Sequence, residues 1–252
     1  MDWKKVKGNI LSALVGAAIG TSAATYLHDT PRFRQAPTAV EPPQTTYKFN
    51  EETPAAKPSL DDIIGPVKYP TRLVSDSFFE NATYMNPAQV QQFLERKNSV
   101  LAKEHNGVLP SKMISDAAQE YKINPIVLLA TLQKENGLVQ AQAATQKQLD
   151  WAFGAGATDS GRISSYSGLQ KQVLGAARIL RRWHDAQPTE LTVNYGTEKL
   201  APENKATFAL YKYTPHTTDT KLTRLGGGNW LFLNILRKYV SEHEKINVLT
   251  DK

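Results

Sequence analysis

The chain has 252 residues, 40% of them hydrophobic, a formal net charge of +6 and no cysteine. That length holds one ordinary domain with appendages, or two small domains, and the missing cysteines exclude a disulfide framework, a thiolate metal site and a thiol nucleophile. The positive charge favours acidic partners such as anionic lipid or wall polymers, whereas no dense Lys/Arg block interleaved with aromatics is present, so nucleic acid is not an expected partner.

Residues 1–9 carry Lys4, Lys5 and Lys7, and residues 10–27 (ILSALVGAAIGTSAATYL) contain no charged side chain. A basic flank before an uncharged stretch of this length predicts a transmembrane anchor. The N-terminus would then lie inside and the bulk of the chain outside, as a single-pass membrane protein in the periplasm, the cell-wall space or a virion membrane. A cleaved signal peptide competes with this reading, because Ser22-Ala23-Ala24 resembles a small-residue cleavage site. The anchor is preferred because the segment is long for a signal core. Residues 28–75 are expected to be a linker. From Thr30 to Pro70 they are rich in Pro, Thr and Ala, and no hydrophobic period survives there.

Residues 76–245 are expected to form one mainly α domain. Asn86-Pro87 opens a helix with Val90, Phe93, Leu94, Val100 and Leu101 on its apolar side, ended by Asn106-Gly107. A second helix is read with Ser111 as its cap and Met113, Ile114, Ala117, Ala118 and Tyr121 on one face. The third, within YKINPIVLLATLQKENGLV, has Asn124 as N-cap, Pro125 in the first helical position and Asn136-Gly137 as the stop. Its apolar residues crowd every side, so it should be buried all round. Residues 141–165 read as irregular and glycine-rich. A fourth helix runs through Leu169, Val173, Ala176, Ala177, Leu180 and Trp183. A short hairpin is expected in 189–200, a short helix in 207–213, and a final helix in 229–240.

One carboxylate stands out. Glu135 lies in the last turn of the third helix, with Leu128, Thr131 and Leu132 on its side. Apolar neighbours and the negative end of the helix dipole both disfavour an anion there. Such a setting suits a group that must deliver a proton, although a solvated glutamate at a helix end has the same local sequence. Trp151 and Phe153 could stack on sugar rings or belong to the core. The five histidines show no metal-ligand spacing, and neither a metal nor a cofactor is expected. Arg178, Arg181 and Arg182 read as a solvated helix face.

The stretches MNPAQVQQFL, SKMISDAAQEYK and INPIVLLATLQKENGLV, in this order, resemble the lysozyme-like superfamily. They are similar in particular to soluble lytic transglycosylases and related bacterial and phage wall-cleaving enzymes. Gly168-Leu169-Gln170 resembles the family's glycine/glutamine motif, and ALYKYTPH, with Tyr211 and Tyr213, resembles its tyrosine turn. Two departures stand in this chain. Asn136 follows the glutamate where many transglycosylases have serine, and the motif's methionine is missing.

The resemblance implies a lysozyme-like fold and cleavage of peptidoglycan glycan strands, with Glu135 as the catalytic acid and then base. The substrate's own N-acetyl group would stabilise the oxocarbenium-like centre, and an anhydro-muramic end would form. Tyr213 is the implied assistant to Glu135. Gln170, Tyr211 and Gly168 are the implied substrate contacts, and Trp151, for its ring face, and Asp159 are counted with them. A muramidase is the alternative within this class and would need a base to direct water. Asp159 is its better candidate, ahead of Asp150, though TDSG also reads as an Asx-type turn. The alternative of another class is a catalytically silent module that binds the wall. An anchored enzyme that opens the wall locally would fit within a virion or a secretion complex.

Overall fold

The protein is described here from a computed structural model covering residues 71–158, 161–194, 196–217 and 227–250. The expected anchor at 10–27, the basic tail at 1–9, the linker up to residue 70 and Asp159 lie outside the described residues.

The described part is mainly α. Its helices are α1 (Asp76–Glu80), α2 (Pro87–Arg96), α3 (Pro110–Tyr121), α4 (Pro125–Asn136), α5 (Gln146–Asp150), α6 (Leu169–Asp185), α7 (Lys205–Tyr213) and α8 (Gly228–Thr250). Two small antiparallel hairpins interrupt them. One is β1 (Ala157–Thr158) with β2 (Gly161–Arg162), the other β3 (Leu191–Val193) with β4 (Glu198–Leu200). Among the described residues no helix is long and apolar enough to cross a membrane.

Helix α4 is the centre. Every residue from Pro125 to Leu132 is buried, because α8, α3 and α6 all pack on it. This is what an apolar surface on all sides requires: a helix with no polar face has to be covered all round. Helix α6 in turn packs on α3 and α7, and α2 covers the outer side of α3. Phe79, Phe93, Leu129, Ala176, Phe232 and Tyr239 belong to the single apolar core so formed.

The local signals explain most element ends. Asn124 caps α4 by accepting from the Ile126 N–H (3.1 Å), and its own amide donates to the Phe78 carbonyl (3.0 Å), which pins the helix start to α1. Gly137 closes the helix in the left-handed region (φ 68°), where glycine carries no Cβ penalty. Asn86 opens α2 with a reciprocal capping box to Gln89.

Four expectations are corrected. The first helix does not run on to Leu101. It stops at Arg96, Asn98 turns left-handed (φ 50°), and a separate 3-10 turn, Val100–Ala102, begins after Ser99. Ser111 does not cap α3. Pro110 takes the first helical position and Leu109 precedes it with no side-chain cap, which Pro permits because it has no N–H to satisfy. Residues 141–165 are not wholly irregular: Thr145 caps α5, and β1 and β2 pair beyond it. The folded part also starts before residue 76. Leu73 and Val74 are fully buried, the Leu73 N–H donates to Thr207 Oγ1 (2.9 Å), and the Glu203 N–H donates to the Thr71 carbonyl (2.8 Å). The hairpin at 191–200 and the short helix before Pro215 lie where the sequence places them, whereas the last helix, expected over 229–240, starts there and runs on to Thr250.

Candidate active site

Glu135 reaches the surface from the last turn of α4, its side chain 17% exposed. Its neighbours are not only apolar. The ammonium of Lys134, a side chain itself only 6% exposed, stands 2.7 Å from Glu135 Oε1. Lys134 Nζ also donates to Thr214 Oγ1, and Thr214 Oγ1 donates to the same Glu135 oxygen at 3.2 Å. The three side chains close a triangle between the end of α4 and the end of α7. Thr214 is held in turn. Its N–H donates to the Leu210 carbonyl (2.9 Å), and its carbonyl accepts from the buried Asn229 amide at the start of α8 (2.8 Å).

The other wall is the loop 151–156, whose shape is set by one buried side chain. Gln172 projects from α6, fully buried. Its Oε1 accepts from the Phe153 and Ala155 N–H groups (both 3.1 Å), and its Nε2 donates to the carbonyls of Ala155 (2.9 Å) and Tyr166 (2.8 Å). An amide with two acceptor lone pairs and two N–H donors is thereby filled. Asn136 ties the same loop to α4 by donating to the carbonyls of Gln148 (3.1 Å) and Trp151 (3.4 Å). This is the work done by asparagine at the position where the resembled family often has serine.

Tyr213 stands beside this arrangement. Its hydroxyl donates to the Phe153 carbonyl at 2.7 Å, and the Lys134 ammonium lies 5.6 Å from its ring centre. Burial pushes the phenol well above its ordinary range and the charge of Glu135 adds to this, so the hydroxyl stays a donor. Gly154 follows, left-handed (φ 68°), and a Cβ there would lie 4.0 Å from Glu135 Oε2.

The structure brings Glu135, Tyr213 and the loop containing Trp151 together. Tyr211 is a correction: at 1% exposure it belongs to the core, and its hydroxyl has no hydrogen-bond partner among the described residues. Residues 211 and 213 lie on different sides of α7, and only the second faces Glu135. Gly168 (φ 109°) starts α6. Its N–H donates to the Asp150 carbonyl (3.1 Å) and its carbonyl accepts from the Gln172 N–H (2.9 Å). Gln170 is exposed on the first turn of α6; the glutamine that holds the 151–156 loop is Gln172. Trp151 is half-buried, with the Arg162 guanidinium 4.9 Å from its ring centre. Phe153, at 1% exposure, is core. The Asp150 carboxylate accepts from Gln146 Nε2 (2.9 Å) within α5. Among the described residues no group of three or more His, Asp or Glu side chains is placed to hold a metal ion.

Lys134, Thr214 and Gln172 were not singled out from the sequence. Two of them left a signal there. Lys134 is a charge in a helix that has no polar face, and Gln172 interrupts the apolar side of α6 between Leu169 and Ala176.

Fold and site together define a helical domain that holds one partly exposed carboxylate, on the last turn of a helix buried from Pro125 to Leu132, against an ammonium and a hydroxyl. The chain belongs to the family described as LasA, N-terminal domain, whose model matches residues 72–246. No curated protein and no solved structure matched the chain.

Proposed function

We propose that this protein cleaves the glycan strands of bacterial peptidoglycan as a lytic transglycosylase, on a lysozyme-like fold carried outside the membrane by an N-terminal anchor. The observation that supports this most is the placing of Glu135: a carboxylate at the end of the central buried helix, still reachable from solvent, with a tyrosine and a glycine-bearing loop beside it. In this reading Glu135 gives its proton to the glycosidic oxygen as the bond to C1 breaks, and the substrate's N-acetyl oxygen stabilises the electron-poor carbon. Glu135 then takes the proton of the C6 hydroxyl as that oxygen bonds to C1, closing the anhydro ring. A second protein carboxylate is not required.

Tyr213 serves by holding the Phe153 carbonyl, and with it the loop that faces Glu135. Trp151 offers a ring face at the mouth of the loop, and Gly168 and Gln170 lie at the start of the helix behind it. The excess of positive charge favours an acidic wall.

The test is digestion of purified walls, read by loss of turbidity and by mass spectrometry of the fragments. The wild type is expected to release anhydro-muramic ends, and Glu135→Gln to lower the rate by more than about 100-fold. Hydrated reducing ends from the earliest times would replace the transglycosylase by a muramidase. Co-sedimentation with walls that stay intact would replace the enzyme by a binding module. Full lysis by Glu135→Gln would remove Glu135 from the chemistry.

A further inference from the structure

The Glu135 carboxylate is not held symmetrically. Oε1 faces the Lys134 ammonium at 2.7 Å and accepts from Thr214 Oγ1 at 3.2 Å. Oε1 takes both of these contacts, and Oε2 lies on the Gly154 side, 4.0 Å from where a Cβ on that glycine would stand. We infer that Lys134 and Thr214 form a clamp on Oε1 that turns the carboxylate, so that Oε2 is the oxygen that exchanges protons with the ligand. This rests on the reading of Glu135 as acid and base.

Three features argue that the clamp is built rather than incidental. First, the Lys134 ammonium is almost fully buried, and Glu135 is its carboxylate partner among the described residues. A buried ammonium needs acceptors for its N–H groups, and Glu135 Oε1 and Thr214 Oγ1 supply them in either protonation state of the carboxyl. Second, Thr214 joins the two as acceptor from one and donor to the other, which leaves its hydroxyl a single orientation. Third, Thr214 is immobilised on both sides by Leu210 and Asn229. The clamp therefore draws on the ends of α4 and α7 and the start of α8. A carboxylate fixed at one oxygen has lost its rotation about the last side-chain bond, and the ordering cost is met before the ligand arrives.

The proton balance follows. In the first half, Oε2–H passes its proton to the glycosidic oxygen, which leaves C1 with the bonding pair. The anion produced faces an ammonium already in place. In the second half, the C6 oxygen bonds to C1 and its proton returns to Oε2. Lys134 keeps its proton throughout; it and Thr214 are positioning residues.

The experiment compares Thr214→Val, Thr214→Ser and Lys134→Met with the wild type in the full chain, on soluble glycan fragments. Alongside it, the side-chain ammonium resonance of Lys134 is followed by 1H–15N NMR. Thr214→Val is expected to lower kcat about tenfold, the loss of one oriented hydrogen bond, with KM within about twofold of wild type. Thr214→Ser is expected to restore kcat. Lys134→Met is expected to lower kcat further. If that variant does not fold, the Thr214 pair decides alone. The ammonium resonance is expected to move in Thr214→Val and in Glu135→Gln. Unchanged kcat in Thr214→Val, or equal loss in the Val and Ser variants, overturns the clamp. If the wild type cuts no glycan, the proposed function fails, and the proton-exchange role of Oε2 fails with it. The hold on Oε1 is then judged by the ammonium resonance, and a signal indifferent to both substitutions removes it too.

Discussion

At the scale of single residues, one glutamine does more for the site than its position in the chain advertises. Gln172 fills all four of its hydrogen-bonding positions with backbone groups of residues 153, 155 and 166. Replacing it by leucine keeps the volume and strands two N–H and two C=O groups in a dry place. The expected cost is about 2–4 kcal/mol, read from the urea midpoint at fixed pH. Gln170→Ala, on the exposed side of the same helix, is expected to stay within about 0.5 kcal/mol. Glu135 was legible from its place at a helix stop. The choice between two nearby glutamines was not legible from motif likeness, which points to Gln170. The physical clue lay in the helix period, since Gln172 shares the face of Leu169 and Ala176, and a polar group on an apolar face has to find partners inside. The same reasoning reaches Lys134: it follows eight buried residues of α4, Pro125 to Leu132, and an ammonium beside them has to find partners inside. Thr214 left no such trace, because a threonine after a short helix is ordinary in sequence and becomes informative only when α7 and α4 meet.

At the scale of elements, α6 and the loop before it are fitted through Tyr166. Its ring lies between two glycines. A Cβ on Gly175, within the helix, would stand 2.9 Å from the ring, and one on Gly156, in the loop, 2.7 Å from it. The Tyr166 hydroxyl also accepts from the Arg178 guanidinium one turn further along α6, so the ring is held at its edge as well as on its faces. Alanine in mid-helix normally gains about 1 kcal/mol over glycine. Here overpacking against a ring with nowhere to move is expected to reverse the sign, and Gly175→Ala should lose about 1–3 kcal/mol in thermal or urea unfolding. In a Tyr166→Leu background the same substitution is expected to be neutral or stabilising. Additive effects in the two backgrounds would refute the fit. The long helices were legible from apolar spacing and their caps. Helix α5 and the hairpin β1–β2 were not, for a physical reason: elements of five and two residues have no stability of their own. Helix α5 carries its own capping box, Thr145 with Gln148, but Gln172, Asn136 and Tyr166 hold this stretch of backbone from elsewhere, and that part of the information sits outside the segment that adopts the structure.

At the scale of the whole molecule, the folded part takes in the strand of chain before α1. Leu73 and Val74 are fully buried between elements that come more than a hundred residues later. Composition had assigned them to the linker, since two apolar residues after a proline-rich stretch show no period to read. A chain beginning at Asp76 is expected to be about 3–6 kcal/mol less stable than one beginning at Thr71, the burial of two aliphatic side chains, measured by chemical denaturation of both.

The way this strand is fastened has a mechanical side. Its polar ties run from Thr71 to Glu203 and from Leu73 to Thr207, at the entrance of α7, and that helix ends at Tyr213, one residue before Thr214. Tension on the chain ahead of Thr71 is therefore passed in part to the start of α7. If that chain is a tether, some of its pull reaches the helix that ends beside Thr214, the residue that bonds Glu135.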